Sequence, residues 1–184
     1  MNRHFFEQDT VWVAEQLIGC YLVRQTDEGI IRVQITETEA YKGAEDPASH
    51  AYRGMTPRSR LMFGEVGRLY IYFIYGKYFC MNVVAHEPGM VGAVLIRGAR
   101  PVEGMDLIRA NRPNQSDKTL LNGPAKLTQG LNITKDMNGY DLLADPNNCM
   151  TWLQKERNLT TVKTKRIGIS KGTDLLWRFL AVDP

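Results

Sequence analysis

Two carboxylates and an aromatic ring stand two residues apart near the end of a β-rich segment. The stretch "VQITETEAYKGAEDPASH", residues 33–50, begins with strand-like alternation, which predicts one shared face for Val33, Ile35, Glu37, Glu39 and Tyr41. A carboxylate at the edge of an apolar face is costly unless it is partnered or exposed, and such groups often act as tuned acids or bases. Spacing alone fits a surface glutamate beside a tyrosine at the sheet edge better than it fits a tuned acid or base. The pattern leaves both interpretations open.

Metal and nucleotide-cofactor chemistry has no support in the sequence. The three histidines, His4, His50 and His86, form no short-spaced pair of the kind that binds zinc. The chain has neither a P-loop nor a GxGxxG motif. We therefore expect no metal and no cofactor.

Length and composition predict one globular domain spanning residues 1–184. Hydrophobic residues make up 43% and charged residues 23% of the chain, as in ordinary globular proteins. The N-terminal segment meets charge too early for a signal peptide, and no apolar run reaches the roughly 18 residues of a membrane span. Three dispersed cysteines cannot complete a disulfide set. We expect a cytoplasmic protein with no membrane partner, associated with the nucleoid when acting and nuclear only in a eukaryote.

Charge is distributed unevenly along the chain. Residues 1–50 hold 4 Lys and Arg against 9 Asp and Glu, whereas the remainder holds 19 against 11. The later two-thirds could form a basic face for an anionic partner such as nucleic acid, although a solvated surface explains the excess equally well.

Local patterns predict short helices around an antiparallel sheet. Residues 7–19 indicate a helix with Asp9 as N-cap and Gly19 as its end. The β-rich runs 20–25 and 30–41 indicate one hairpin, and residues 68–85 a second. Regular βαβ alternation is missing, which favours a mixed α/β fold. The remaining elements are a loop and short helix over 42–60, a strand at 93–102, helices at 103–112 and 123–131, and two or three strands from Val162.

The second hairpin, "YIYFIYGKYF", is rich in aromatic residues. Tyr70 and Tyr72 fall on one face and Phe73 and Tyr75 on the other, and most of these rings are expected in the core. Tyr75 differs because the turn residues Gly76 and Lys77 follow it at once. An exposed ring at a hairpin tip can wedge between stacked bases.

Six motifs together resemble one known family. "ETEAY", "EDPASH", "TPRSRLMF", "YIYFIYGKYFCMNVV", "AVLIRGARP" and "GPAKLTQGLNI" look like the successive motifs of the alkyladenine (3-methyladenine) DNA glycosylase family, in its bacterial-length form. The resemblance spans essentially the whole chain, and six motifs in order are far more specific than any one of them.

The resemblance implies a base-excision-repair enzyme. Its fold would be a single mixed α/β domain on a curved, open-barrel-like antiparallel sheet, with a protruding hairpin that inserts Tyr75 into the minor groove of damaged double-stranded DNA. A monomer would flip 3-methyladenine, 7-methylguanine, ethenoadenine or hypoxanthine out of the duplex and hydrolyse the N-glycosidic bond. The product would be an abasic site, without a lyase step, since no motif lysine lies beside Glu39 in the sequence.

The resemblance also implies residue roles. Glu39 would be the general base, and Arg97 would help to hold the catalytic water, although a structural ion pair is an alternative for Arg97. Asn82 matches the pocket residue associated with rejecting the exocyclic amine of guanine. The aromatic residues that would sandwich the flipped base are Tyr41, His50 and Tyr72.

Two other functions remain as alternatives. A non-catalytic nucleic-acid-binding module would stack bases on Tyr41, Tyr72 and Tyr75 and would not require Glu39. A nucleoside hydrolase would keep the carboxylate but would not need an exposed hairpin tip. Base release from duplex DNA separates the three.

Overall fold

The computed structural model describes residues 1–182 except 75, 145–148 and 157, and within them a mixed α/β fold is built on one antiparallel sheet. The strands are β1 (Tyr21–Thr26), β2 (Gly29–Lys42), β3 (Leu69–Ile74), β4 (Tyr78–Val84), β5 (Gly92–Glu103), β6 (Met150–Leu153), β7 (Thr161–Thr164) and β8 (Arg178–Ala181). The helices are α1 (Arg3–Phe6), α2 (Thr10–Gln16), α3 (Met105–Asn111) and α4 (Pro124–Gly130). Single-turn 3-10 helices cover Arg60–Phe63, Asp117–Thr119 and Lys135–Met137.

The long strand β2 is the centre of the sheet. The strand order is β3-β4-β5-β2-β1-β6, and β8 pairs with both β2 and β7. β2 therefore has β5 along one side and β1 followed by β8 along the other. The sheet curls into a half-barrel with helices packed against it, which confirms the predicted curved antiparallel fold.

Helix α2 and the strand pairs of both hairpins form where the local sequence predicts them. The Asp9 carboxylate caps α2 by accepting hydrogen bonds from the backbone N–H groups of Val11 and Trp12, at 2.9 and 3.0 Å. The helix ends at Gln16, three residues before the predicted end at Gly19, whose φ is +87°. The strands of the first hairpin pair down to Thr26 and Gly29.

The second hairpin, β3 and β4, is less buried than its composition suggested. Tyr70 is buried, but Phe73 is 52% exposed and packs its ring 5.3 Å from that of Phe79. The other described rings of this hairpin are only partly buried, so the expectation that most of them lie in the core is wrong. The predicted tip residue, Tyr75, lies outside the described residues.

One strand has no counterpart among the predicted elements. β6 pairs with β1 through Trp152 and Leu22. It is only four residues long and has no extended alternation to mark it in the sequence. The tail then adds β7, which begins at Thr161, and β8.

A β-bulge interrupts the alternation of β2 around Glu37. Ile35 pairs with Ala99, Glu37 with Gly98 and Thr38 with Ile96, with register shifts between successive pairs. The strict two-residue period predicted across residues 33–41 therefore does not run unbroken. After the bulge the Thr38 hydroxyl donates to the Ala14 carbonyl of α2 at 2.7 Å, whereas Glu37 and Glu39 lie beside Arg97.

Gly104, the N-cap of α3, is expected to be intolerant of a side chain. Its φ is +77°, and an added Cβ would press against the Ile30 carbonyl oxygen. Gly89 is a matched control, because its φ is +80° but no atom lies within 4 Å of an added Cβ. Gly89→Ala should lose about 1 kcal/mol to backbone strain alone, and Gly104→Ala more. Urea unfolding measures both, and equal losses would contradict the steric argument.

Candidate functional site

The curled sheet and two loops surround a cavity of about 430 Å³. This volume is within the usual range for small-molecule sites. The cavity brings together five of the predicted site residues, Tyr41, His50, Tyr72, Asn82 and Arg97. Glu39 lies behind its wall with no exposed surface.

The Glu39 carboxylate is held by two hydrogen bonds and an ion pair from three parts of the chain. The Tyr41 hydroxyl donates to Oε2 at 2.7 Å, and the backbone N–H of Ile167 donates to Oε1 at 2.8 Å. The Nε atom of Arg97 lies 3.5 Å from Oε1. These contacts fix the carboxylate in one orientation and favour its ionised form.

Burial sets the acid–base character of this pair. Burial raises the pKa of Glu39, and the Arg97 charge and the two hydrogen bonds offset only part of that effect. Burial and the neighbouring carboxylate also raise the pKa of Tyr41, so the phenol remains a donor. A carboxylate with a raised pKa is a stronger proton acceptor than one on the surface.

Arg97 lies between the cavity and a second carboxylate. Its Nε atom donates to Oε1 of Glu37 at 2.9 Å, and the same oxygen accepts from Nε of Arg178 at 2.6 Å. Arg97 therefore makes a structural ion pair and also lines the cavity. Both interpretations of this residue fit the geometry.

Aromatic side chains form one side of the cavity. The rings of His50 and Tyr72 meet edge to face with centroids 4.7 Å apart, and His50 Nδ1 lies 2.8 Å from the Tyr70 hydroxyl. The Arg58 guanidinium lies 5.2 Å from the Tyr72 ring centroid. Burial, with a smaller contribution from the Arg58 charge, lowers the pKa of His50 to about 4. His50 is therefore neutral near pH 7.

Asn82 contributes an amide to the cavity wall. It is buried, pairs with Tyr70 across β3 and β4, and donates from Nδ2 to the Tyr70 carbonyl at 2.9 Å. This hydrogen bond fixes the amide plane relative to the sheet.

Sequence reasoning missed the loop that follows β7. Ile167, Gly168 and Ile169 line the cavity, and Ile167 supplies the N–H that binds Glu39. Arg166 pairs with Asp46 beneath Tyr41. The only sequence signal for this pair is Asp46 itself, an acidic residue within the "EDPASH" motif.

Two structural observations bear on other functions. The part of the chain that the structure describes contains no group of three or more His, Cys, Asp or Glu side chains placed to hold a metal ion. None of its helices has the length and apolar character needed to cross a bilayer.

Comparisons with known proteins identify relatives along the chain. Residues 4–184 match the family model described as Methylpurine-DNA glycosylase (MPG). A Carboxydothermus hydrogenoformans protein, provisionally named 3-methyladenine DNA glycosylase, is 46% identical over 97% of this chain and 93% of its own. A Methanoculleus marisnigri protein with the same provisional name is 45% identical over 95% of this chain and 91% of its own. One from Chlorobaculum tepidum is 40% identical over 100% of this chain and 88% of its own.

The neutral state of His50 can be measured directly. An NMR titration should give a midpoint at about pH 4 for this imidazole, assigned by its disappearance in His50→Asn. Arg58→Met should raise the midpoint modestly, because it removes the Arg58 charge, the smaller of the two causes of the low pKa. The folded pKa lies below the unfolded value of 6.5, so the contribution of His50 to stability is complete above pH 6.5 and is lost as the pH falls toward 4. A midpoint near 6.5 would contradict the desolvated environment.

Proposed function

The chain belongs to the methylpurine-DNA glycosylase family, and we propose that residues 1–184 form a single domain that hydrolyses the N-glycosidic bond of damaged purines with water activated by Glu39. The resemblance found in the motifs is thereby confirmed, and the protein is a DNA glycosylase, a hydrolase of DNA repair. The observation that carries the proposed mechanism is a fully buried carboxylate with a raised pKa beside an aromatic cavity.

The reaction needs one carboxylate for two tasks. Breaking the bond passes through an oxocarbenium-like state at C1′, so a nearby carboxylate stabilises positive charge and takes the proton of the attacking water. Oε2 of Glu39 accepts one hydrogen bond, from Tyr41, and a carboxylate oxygen has two acceptor positions. A water could use the second position, with Arg97 as a neighbouring donor.

The cavity suits an electron-poor purine. Tyr41, His50 and Tyr72 would stack against a flipped base, and a neutral His50 would not repel a cationic one. Alkylated purines such as 3-methyladenine and 7-methylguanine are already cationic and leave without an acid. Ethenoadenine and hypoxanthine complete the proposed range, and neutral hypoxanthine would also need protonation.

The hairpin would provide access to duplex DNA. Tyr72 and Ile74, near the end of β3, line the cavity, so the residues that follow β3 in the sequence are next to cavity-lining residues. We propose that this hairpin enters the minor groove of one DNA duplex as part of a monomer, with Tyr75 filling the gap left by the lesion. A binding module would not require a buried glutamate, and a nucleoside hydrolase would not require the hairpin.

The proposed enzyme is monofunctional. A lyase step needs an amine that attacks C1′ to form a Schiff base. Within the described part of the chain, the contacts of Glu39 are with Tyr41, Ile167 and Arg97 and include no lysine. The lysine in "GPAKL", Lys126, donates to Asn122 at 2.7 Å.

Glu39→Gln should remove base excision while keeping lesion binding. The amide preserves the size of the side chain but cannot accept the water's proton, so the single-turnover rate should fall by about 10²-fold or more. Base release is measured on duplexes carrying 7-methylguanine, ethenoadenine or hypoxanthine. With the parental protein, the DNA strand should stay intact after base release until alkali cleaves it at the abasic site. Glu15→Gln is the matched control, because Glu15 pairs with Lys163 at the surface.

Distinct results would contradict separate parts of this proposal. Excision by Glu39→Gln at the parental rate would show that Glu39 is not the base. A borohydride-trapped covalent adduct would show a lyase step. No base release by the parental protein from any of the duplexes would contradict the proposed activity itself.

Asn82→Ser should relax discrimination against undamaged guanine. A smaller side chain leaves room for the exocyclic amine, so guanine release should rise above the parental background. Asn138→Ser is the control, because Asn138 also binds β3, accepting from the Ile71 N–H at 2.8 Å, but does not line the cavity. Lower stability in both variants without guanine release would assign Asn82 a structural role only.

A further inference from the structure

A buried ion pair lies behind the cavity. Nη1 and Nη2 of Arg166 donate to the two carboxylate oxygens of Asp46 at 2.6 and 2.7 Å, and both side chains have no exposed surface. Buried ion pairs often add little net stability because desolvation offsets their attraction. Nε of Arg166 is also buried without a hydrogen-bond partner in the described structure, a further cost. Stability alone is therefore a weak reason for this arrangement.

Arg166 connects two segments next to Glu39, strand β2 and the loop after β7. Nη1 donates to the Ala40 carbonyl at 2.9 Å, and Ala40 lies in β2 between Glu39 and Tyr41. The residue that follows Arg166 is Ile167, whose N–H binds Glu39 at 2.8 Å. Fixing Arg166 to β2 thus sets the distance between this N–H and the carboxylate.

The same guanidinium supports the Tyr41 ring. Its Cζ atom lies 4.7 Å from the Tyr41 ring centroid and 5.2 Å from that of Trp177. Tyr41 lines the cavity and Arg166 does not, so the cation packs on the protein side of the ring.

Asp46 extends the connection to the loop that carries His50. Its carboxylate accepts from the backbone N–H of Lys42 at 3.0 Å and from that of Ala48 at 3.1 Å. One ion pair therefore joins β2, the loop after it and the loop after β7.

We propose that Arg166 and Asp46 are positioning residues, which hold the Ile167 N–H on Glu39 and hold Tyr41 against the flipped base. This inference rests on the proposed glycosylase reaction. Neither residue touches the substrate, and both act through the groups they hold. The planar fork of arginine is required, because a lysine ammonium cannot bond both Asp46 oxygens and the Ala40 carbonyl in the same geometry.

Loss of the pair should change the pH profile of excision. Without its anchor the Ile167 N–H would move away from Glu39 and remove a hydrogen bond that favours the ionised carboxylate. The pKa of Glu39 would rise further, and the acidic limb of the rate profile would move to higher pH by about one unit. Misplacement of the carboxylate and of Tyr41 would lower the limiting rate by about 10²-fold.

The positioning role is tested by measuring single-turnover release of 7-methylguanine across pH 5–9. The variants are Arg166→Lys, Arg166→Met and the double variant Asp46→Asn/Arg166→Met. The double variant removes both charges, so it avoids an uncompensated buried ion and keeps the test valid if the single variants unfold. Arg3→Met is the matched control, since Arg3 also forms an ion pair, with Asp141 at 2.9 Å, but lies away from the cavity. Ionisation of the lesion is common to all variants, so differences between profiles arise in the protein.

The expected result is a shifted acidic limb and a lower plateau for the folded Arg166 variants and the double variant, with the parental profile in Arg3→Met. A parental profile in the folded double variant would overturn the positioning role. An equal shift in Arg3→Met would overturn it too, because the effect would then follow stability rather than position. Absence of release by the parental protein would instead contradict the proposed function, so the two failures are distinguishable.

Discussion

In the proposed reaction, the site depends on keeping the Glu39 carboxylate ionised without exposure to solvent. An isolated buried carboxylate takes up a proton, because transfer of its charge out of water is expensive. Glu39 has three compensating groups, the Tyr41 hydroxyl, the Ile167 N–H and the Arg97 guanidinium. They come from β2, the loop after β7 and β5, so these three segments must be in place before the carboxylate can be buried as an ion.

The fold meets this requirement at the junction of β2 and β5. The bulge pairs Glu37 with Gly98 and leaves Arg97 as the extra residue on β5. An added Cβ at Gly98 would lie 3.2 Å from Cβ of Glu37, so a glycine there allows close approach of the two strands. The bulge thus changes the direction of the side chains at the point where the apolar part of β2 ends.

The sequence predicts the elements whose signals are local. Asp9 marks the start of one helix, and the turn at residues 26–29 marks a hairpin, because capping and turn chemistry depend on a few neighbouring residues. The end of that helix is less exact, since it stops at Gln16 rather than at the predicted Gly19. Strand spacing also predicts that Glu39 and Tyr41 are neighbours. The Ile167 N–H is 128 residues from Glu39, and any residue except proline could supply it, so no residue pattern identifies this donor. β6 is missed for a related reason, since its pairing with β1 and the burial of Met150 and Trp152 depend on residues distant in the sequence.

The charges around Glu39 suit a reaction that develops positive charge. The Arg166 cation is matched by Asp46, and the nearer partner of Arg97 is Glu37, at 2.9 Å against 3.5 Å for Glu39. Glu37 also pairs with Arg178 at 2.6 Å, so two guanidinium groups and two carboxylates balance one another in this cluster. His50 adds no charge near neutral pH, because burial lowers its pKa to about 4. In the proposed reaction, the charges nearest Glu39 therefore balance, and its carboxylate can stabilise the oxocarbenium-like sugar while Tyr41 and Ile167 contribute directed hydrogen bonds.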